Sequence, residues 1–169
     1  MSKDRMWAEF LYTLVTVRFN KPESEAVQTA YRDLGEALRA GSMDAFRGSV
    51  GWAIVDRTSD YTRGAFTTPF SIPAERRFWR KYQLLPAKTP ITSLDQLTKL
   101  TMPVHILANR NDFCHPFAYG EHLQKHIPGA VLTEIPDKDT DASAHRAAVQ
   151  RAVRALFEPA GTADAGARE

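Results

Sequence analysis

Pro103-Val104-His105-Ile106-Leu107-Ala108-Asn109-Arg110-Asn111-Asp112-Phe113-Cys114-His115-Pro116 is the stretch on which the reading of this chain turns. Residues 104–108 are almost continuously apolar, and continuous apolarity, as opposed to alternation, predicts a strand buried on both faces of a parallel sheet. Residues 109–112 make a polar turn, and Pro116 opens a helix that runs to His126. Pro128-Gly129 then turns the chain into a second strand over 131–135. A polar loop over 136–140 leads to a last helix over 141–157, whose apolar residues include Ala148, Val149, Ala152 and Val153. Just upstream, Ser93 caps a short helix that turns Leu94, Leu97 and Leu100 inward, and Pro103 stops it. The order is therefore strand, helix, strand, helix, the signature of a parallel α/β layer.

Upstream of residue 90 the chain reads as helical. Trp7, Phe10, Leu11, Leu14 and Val17 recur at spacings of three and four, which marks one apolar helix face. Pro22, with Glu23 and Glu25 behind it, starts a second helix whose buried stripe is Val27, Tyr31, Leu34 and Leu38. Gly41 is its expected stop. Asp44 is the expected cap of a third helix carrying Phe46, Val50 and Ile54 inward. Over 56–90 the texture changes to Pro69, Pro73, Pro86 and Pro90 among Tyr61, Phe66, Phe70, Phe78, Trp79 and Tyr82. This predicts an irregular, aromatic-lined connection with one short helix over 74–83. Its rings either pack on the core or wall a ligand pocket, and the second reading makes Phe66, Phe70 and Trp79 substrate-binding candidates. The expected organisation is a helical, lid-like region over 1–90, an α/β segment over 91–157 and a disordered tail over 158–169.

Composition narrows the function classes. The 169 residues are 43% hydrophobic and 25% charged, values of an ordinary globular chain. The 22 basic and 20 acidic side chains leave a formal charge of +2, too small a surplus for a nucleic-acid footprint. A single cysteine excludes an internal disulfide framework and a four-thiolate zinc site. No apolar run reaches the ~18 residues of a membrane span. Lys3 and Arg5 before an apolar stretch imitate a secretion signal, but Glu9 interrupts the stretch and no small-x-small cleavage site follows. The expectation is a cytoplasmic protein without a membrane or nucleic-acid partner and without a cofactor.

Functional groups of a parallel sheet gather where its strands end at their carboxyl edge. Two polar clusters fall there: residues 109–115 after the first strand, and Asp137-Lys138-Asp139-Thr140-Asp141 after the second, with His145 beyond it. An acid from one loop and a histidine from the next can meet above such a sheet, the carboxylate orienting the imidazole for general-base work. His115 lies close to Asp112 and either lines the pocket mouth as a substrate-binding residue or caps the loop. His122 and His126, four apart, lack the H-E-x-x-H glutamate and read as solvent-facing. Cys114 reads as a small packed side chain. Asp137, Asp139 and Asp141 lack the glycine and terminal glutamate of a calcium loop and read as solvated. Arg76, Arg77, Arg80 and Lys81 read as a charged helix face. No metal site is expected.

The run from Pro103 to Pro116, followed by Ile127-Pro128-Gly129-Ala130 and a strand, resembles the C-terminal end of an α/β-hydrolase. The resemblance implies that Asp112 is the acid and His145 the base of a Ser-His-Asp triad. It also implies that the helical, aromatic-rich region is the cap inserted before the penultimate strand. Three departures stand beside it. Asn109 occupies the place of a family glycine, a change that asparagine's tolerance of positive φ accommodates. His145 follows Pro136 by nine positions, whereas the family histidine follows its strand closely. The nucleophile elbow G-x-S-x-G, which family order puts upstream of the acid, is absent, and Gly48-Ser49-Val50-Gly51 is only an imitation. Each strand-helix-strand unit needs ~30 residues, so the early strands are expected to be missing as well.

The expectation is a partial α/β-hydrolase fold. In the complete enzyme it hydrolyses a small ester or related acyl compound, and without the serine it is inactive alone. The alternative is a non-catalytic α/β module that binds an apolar ligand or associates with itself through an exposed sheet edge.

Overall fold

The computed structural model describes residues 22–84, 86 and 93–157. The helix expected around residues 7–17 and the tail over 158–169 lie outside them. The described chain is a mixed α/β structure with a helical majority. Its elements are α1 Pro22–Ala40, α2 Met43–Arg47, α3 Val50–Val55, α4 Asp60–Thr67, α5 Pro73–Arg77, α6 Arg80–Leu84, β1 His105–Ala108, α7 Phe117–His126, β2 Val131–Glu134 and α8 Ala142–Phe157. Two 3-10 turns, Thr68–Ser71 and Leu94–Lys99, complete it.

Helix α1 buries Val27, Leu34 and Leu38 of the predicted stripe, together with Ala30 and Ala37, while Tyr31 is half-buried. It ends at Gly41, whose φ of +71° only glycine adopts freely. The Gly41 and Ser42 amides donate back to the Leu38 and Ala37 carbonyls, closing the orphan acceptors of the last turn.

The single helix expected behind Asp44 is two helices. Ser42 is the cap of α2, its hydroxyl accepting from the Ala45 amide at 3.0 Å, and Ser49 caps α3 through the Trp52 amide at 3.0 Å. The break at Gly48-Ser49 re-phases α3 against α2. Phe46 stays buried, but Val50 is 67% exposed, and Gly51 and Val55 turn inward in its place. Gly51 sits against α1 so closely that a Cβ would lie 2.9 Å from Ala30 Cα. Its amide donates to Asp33 Oδ2 at 2.8 Å.

The connection over 56–84 is regular, contrary to the expectation. Ser59 caps α4 through the Thr62 amide, and Pro69 and Pro73 stand in first turns, where a missing N–H costs no hydrogen bond. The prolines therefore mark helix starts, not a loop. The helix expected over 74–83 is also broken, at Phe78-Trp79. Phe46 is the centre of the aromatic packing, its ring centroid 6.3 Å from Phe66, 5.9 Å from Phe70 and 5.5 Å from Trp52.

The α/β end keeps its predicted order. Ser93 caps the Leu94–Lys99 turn, and β1 and β2 pair in parallel with His105 opposite Val131 and Ala108 opposite Glu134. Helix α7 crosses between them and lies close on the sheet at Gly120, where a Cβ would be 3.0 Å from Leu132 Cδ1. Gly129, at φ +73°, makes the turn into β2. A second core forms around Leu97, Val104, Ile106 and Ile127. The sheet is not buried on both faces: β1 alternates half-buried and buried residues, and Val131 on β2 is 48% exposed. The two cores meet where Phe113 sets its edge on Phe66 (6.2 Å between centroids) and the Tyr31 hydroxyl reaches Cys114 Sγ at 3.6 Å. Among the described residues no helix is long and apolar enough to cross a membrane.

Candidate active site

The turn after β1 is organised by its own side chains. Asn109 Oδ1 accepts from the Asn111 amide at 3.2 Å. No described non-glycine residue has positive φ, so the turn at Asn109 is held by this short-range hydrogen bond and not by the left-handed backbone expected from the sequence. Asp112 Oδ1 accepts from the amides of Cys114 (3.0 Å) and His115 (2.9 Å), which curls the chain so that the His115 ring comes back over the carboxylate. His115 Nδ1 then stands 3.2 Å from Oδ1 and 3.3 Å from Oδ2 of Asp112. Lys138 Nζ, from the loop after β2, is 4.0 Å from Oδ2. Burial pushes the Asp112 carboxyl up. The His115 hydrogen bond and charge, the loop amide and the Lys138 charge outweigh it and hold the carboxyl below its ordinary value. The group is an anion at neutral pH.

His145 lies in the first turn of α8, buried, with its amide on the Asp141 carbonyl at 2.9 Å. Its Nδ1 is 2.7 Å from the Pro136 carbonyl oxygen. A carbonyl only accepts, so Nδ1 carries the proton and the ring clamps the end of β2 to the start of α8. His145 is not among the hydrogen-bond partners of Asp112. The histidine on that acid is His115.

A cleft of about 190 Å³ opens between α4 and the two strand-end loops. Tyr31, Thr62 and Phe66 form its helical wall; Asp112 and His115 face it from the first loop, Lys138 from the second. The second loop is tied to the wall: Asp139 Oδ1 accepts from the Tyr61 amide at 2.8 Å, and Lys138 Nζ lies 4.8 Å from the Tyr61 ring centroid. Asn111 donates to Asp137 Oδ2 at 2.9 Å, linking the loops and, as the largest cause, holding the Asp137 carboxyl below its ordinary value. A narrower apolar groove of about 50 Å³ runs along β1 and α7 and ends at the same Asp112 and His115.

The three aromatics expected to bind substrate belong to one core cluster, and only one of them also lines the cleft. Phe66 lines the cleft, Phe70 packs on Phe46, and Trp79 is flanked by the Arg39 and Arg80 guanidinium groups at 5.7 and 5.4 Å. Tyr31 is a cleft residue that sequence did not mark for function: it reads as one more member of an apolar stripe, and its hydroxyl on that stripe is the only sign. Lys138 belongs to the polar cluster expected after the second strand, but nothing in one sequence shows that it crosses to Tyr61.

The remaining chemistry-bearing residues have structural employment. Burial pushes the Cys114 thiol up to about 11, the Asp112 charge adding to it, so it is a neutral packed group and not a nucleophile. Ser49 is a helix cap. The carboxylates of Asp137, Asp139 and Asp141 each accept a hydrogen bond from the protein. The His122 and His126 rings lie 4.3 Å apart, and among the described residues no three donors are grouped to hold a metal ion.

Compared with family models, curated protein sequences and solved structures, the chain matches none of them.

Proposed function

We propose that this chain is the C-terminal part of an α/β-hydrolase, a cap followed by the last two strands. Its inherited chemistry would be hydrolysis of a small ester or related acyl bond by a serine nucleophile that the chain itself lacks. The observation that carries the reading is Asp112: an anion at the carboxyl end of a parallel strand, opening on a cleft walled by helices of the preceding region. Asp112 is the triad acid in this reading and His145, in family order, the base; Phe66 and His115 line the substrate cleft. A cytoplasmic location belongs to the proposal and is supported by the unpaired Cys114.

Two measurements test it. A fluorophosphonate probe, which forms an adduct only with an activated serine, should leave the purified chain unlabelled; labelling at any serine would show that a nucleophile is present. The DNA upstream of Met1 should encode, in frame, further strands and a G-x-S-x-G turn. In the enzyme so completed, Asp112→Ala should lower kcat by roughly 10³–10⁴. A stop codon close upstream sinks the proposal.

The second reading, a non-catalytic binding module, is favoured by the seating of His145 on the Pro136 carbonyl. It predicts that a cleft ligand binds equally well to the His145→Ala protein.

A further inference from the structure

We propose that the imidazole served by Asp112 in this chain is His115, and that residues 112–115 form a self-contained Asp–His dyad acting as a general base on water at the cleft. The geometry has three parts. The acid is held by the loop backbone, because the Cys114 and His115 amides donate to Oδ1 at 3.0 and 2.9 Å and the Asp112 side chain is only 13% exposed. The histidine presents Nδ1 to both carboxylate oxygens. A carboxylate only accepts, so the neutral ring carries its proton on Nδ1 and its lone pair on Nε2. Among the described residues Nε2 has no hydrogen-bond partner, and His115 lines both the cleft and the groove that meets it.

An imidazole oriented at Nδ1 by a buried carboxylate, with Nε2 bare at a cavity, is the arrangement that accepts a proton from a nucleophile. His145 lacks it, since its Nδ1 is committed to a neutral carbonyl that offers an imidazolium no charge.

The step balances with water as the only co-reactant. Nε2 takes a proton from water as the water oxygen bonds to the ester carbonyl carbon and the carbonyl π pair moves to oxygen. Asp112 stabilises the resulting imidazolium without itself being protonated. When the carbonyl re-forms, the bond to the alkoxy oxygen breaks and Nε2–H returns the proton to the leaving alcohol. The products are the acid and the alcohol. The substrate class rests on the hydrolase reading; the pairing of Asp112 with His115 does not. The other charged or titratable groups facing this cleft are Tyr31 from α1, Tyr61 from α4, Cys114 from the first loop, and Asp137, Lys138 and Asp139 from the second.

The test uses the full chain, imidazole ¹⁵N spectroscopy across a pH titration, and hydrolysis of 4-nitrophenyl acetate. The His115 ring should be the Nδ1–H tautomer when neutral, and Asp112→Asn, which keeps an acceptor for the loop amides but offers the ring an amide N–H, should shift it toward the Nε2–H tautomer. Slow hydrolysis should exceed that of free imidazole at equal concentration. It should fall at least about tenfold in His115→Gln, fall in Asp112→Asn, and be unchanged in His126→Gln.

A His115 tautomer indifferent to Asp112→Asn overturns the dyad. Turnover retained by His115→Gln and lost in His145→Gln overturns it too, and leaves the hydrolase reading standing on the family-order pair. Turnover no faster than free imidazole removes the catalytic role, whatever the spectra show, and says nothing against a serine enzyme completed upstream.

Discussion

Asp112 shows how much one residue can organise. Its carboxylate accepts two amides and an imidazole and faces a lysine, so it shapes the loop and sets the charge of the cleft at once. Asp112→Ala leaves the Cys114 and His115 amides and the ring without their acceptor, and stability at pH 7 should fall by about 1–3 kcal/mol. The pH dependence has a definite sign. The folded carboxyl titrates below its unfolded value of ~3.9, so its contribution is present above about pH 4 and is lost as pH falls through the lower folded value. Urea unfolding of the two proteins from pH 7 down to pH 2 should show curves that converge at the acid end. Curves that stay equally separated at pH 2 would mean that the stabilisation does not come from the ionised form.

At the scale of elements, Gly48-Ser49-Val50-Gly51 is the instructive case. As a string it imitates a nucleophile elbow, and in the fold it is a helix junction. Gly48 ends α2, Ser49 caps α3, and Gly51 admits α1. Ser49→Ala should cost about 1 kcal/mol with no effect on any hydrolysis. Gly51→Ala should cost more, about 1–3 kcal/mol, because its Cβ meets backbone and a held aspartate, neither of which moves freely. Chemical denaturation of both variants gives the ranking, and a Gly51→Ala protein as stable as the parent would show that α1 and α3 can separate. The prolines of 69–73 teach the same lesson in reverse. A proline is a breaker inside a helix and a starter at its first turn, and only the phase of the surrounding helix distinguishes the two.

At the scale of the whole molecule, two cores are joined at the strand-end loops. The β1 loop sends Phe113 and Cys114 to α4 and α1, and the β2 loop sends Lys138 and Asp139 to Tyr61. The cleft exists because these ties hold the helical region over the sheet edge. Asp139→Ala removes the acceptor of the Tyr61 amide, an N-terminal donor of α4 with no carbonyl of its own helix to use. Hydrogen exchange at that amide should quicken by about tenfold, with exchange in β1 unchanged. Equal acceleration in β1 would mean that the two cores open together and not at this seam.

The order of elements from Ser93 onward was legible because each one is a local matter: an apolar run, a cap, a proline, a Pro-Gly turn. So was α1, whose stripe and terminal glycine need no neighbour to be recognised. The place of Asp112 in the turn behind β1 was legible for the same reason, as the carboxylate closest behind a strand. What the tertiary structure decided were the pairings. Whether Asp112 meets His115 or His145 depends on the curl of a four-residue turn and on where α8 begins, differences of a few ångströms that leave no periodicity in a sequence. Which of three aromatics faces the cleft depends on the phase of α4 and on the helix starts and break that follow it, at Thr68–Ser71 and Phe78-Trp79. Local preferences are written residue by residue along the chain. A site is a set of distances between residues far apart in it, and only packing fixes those.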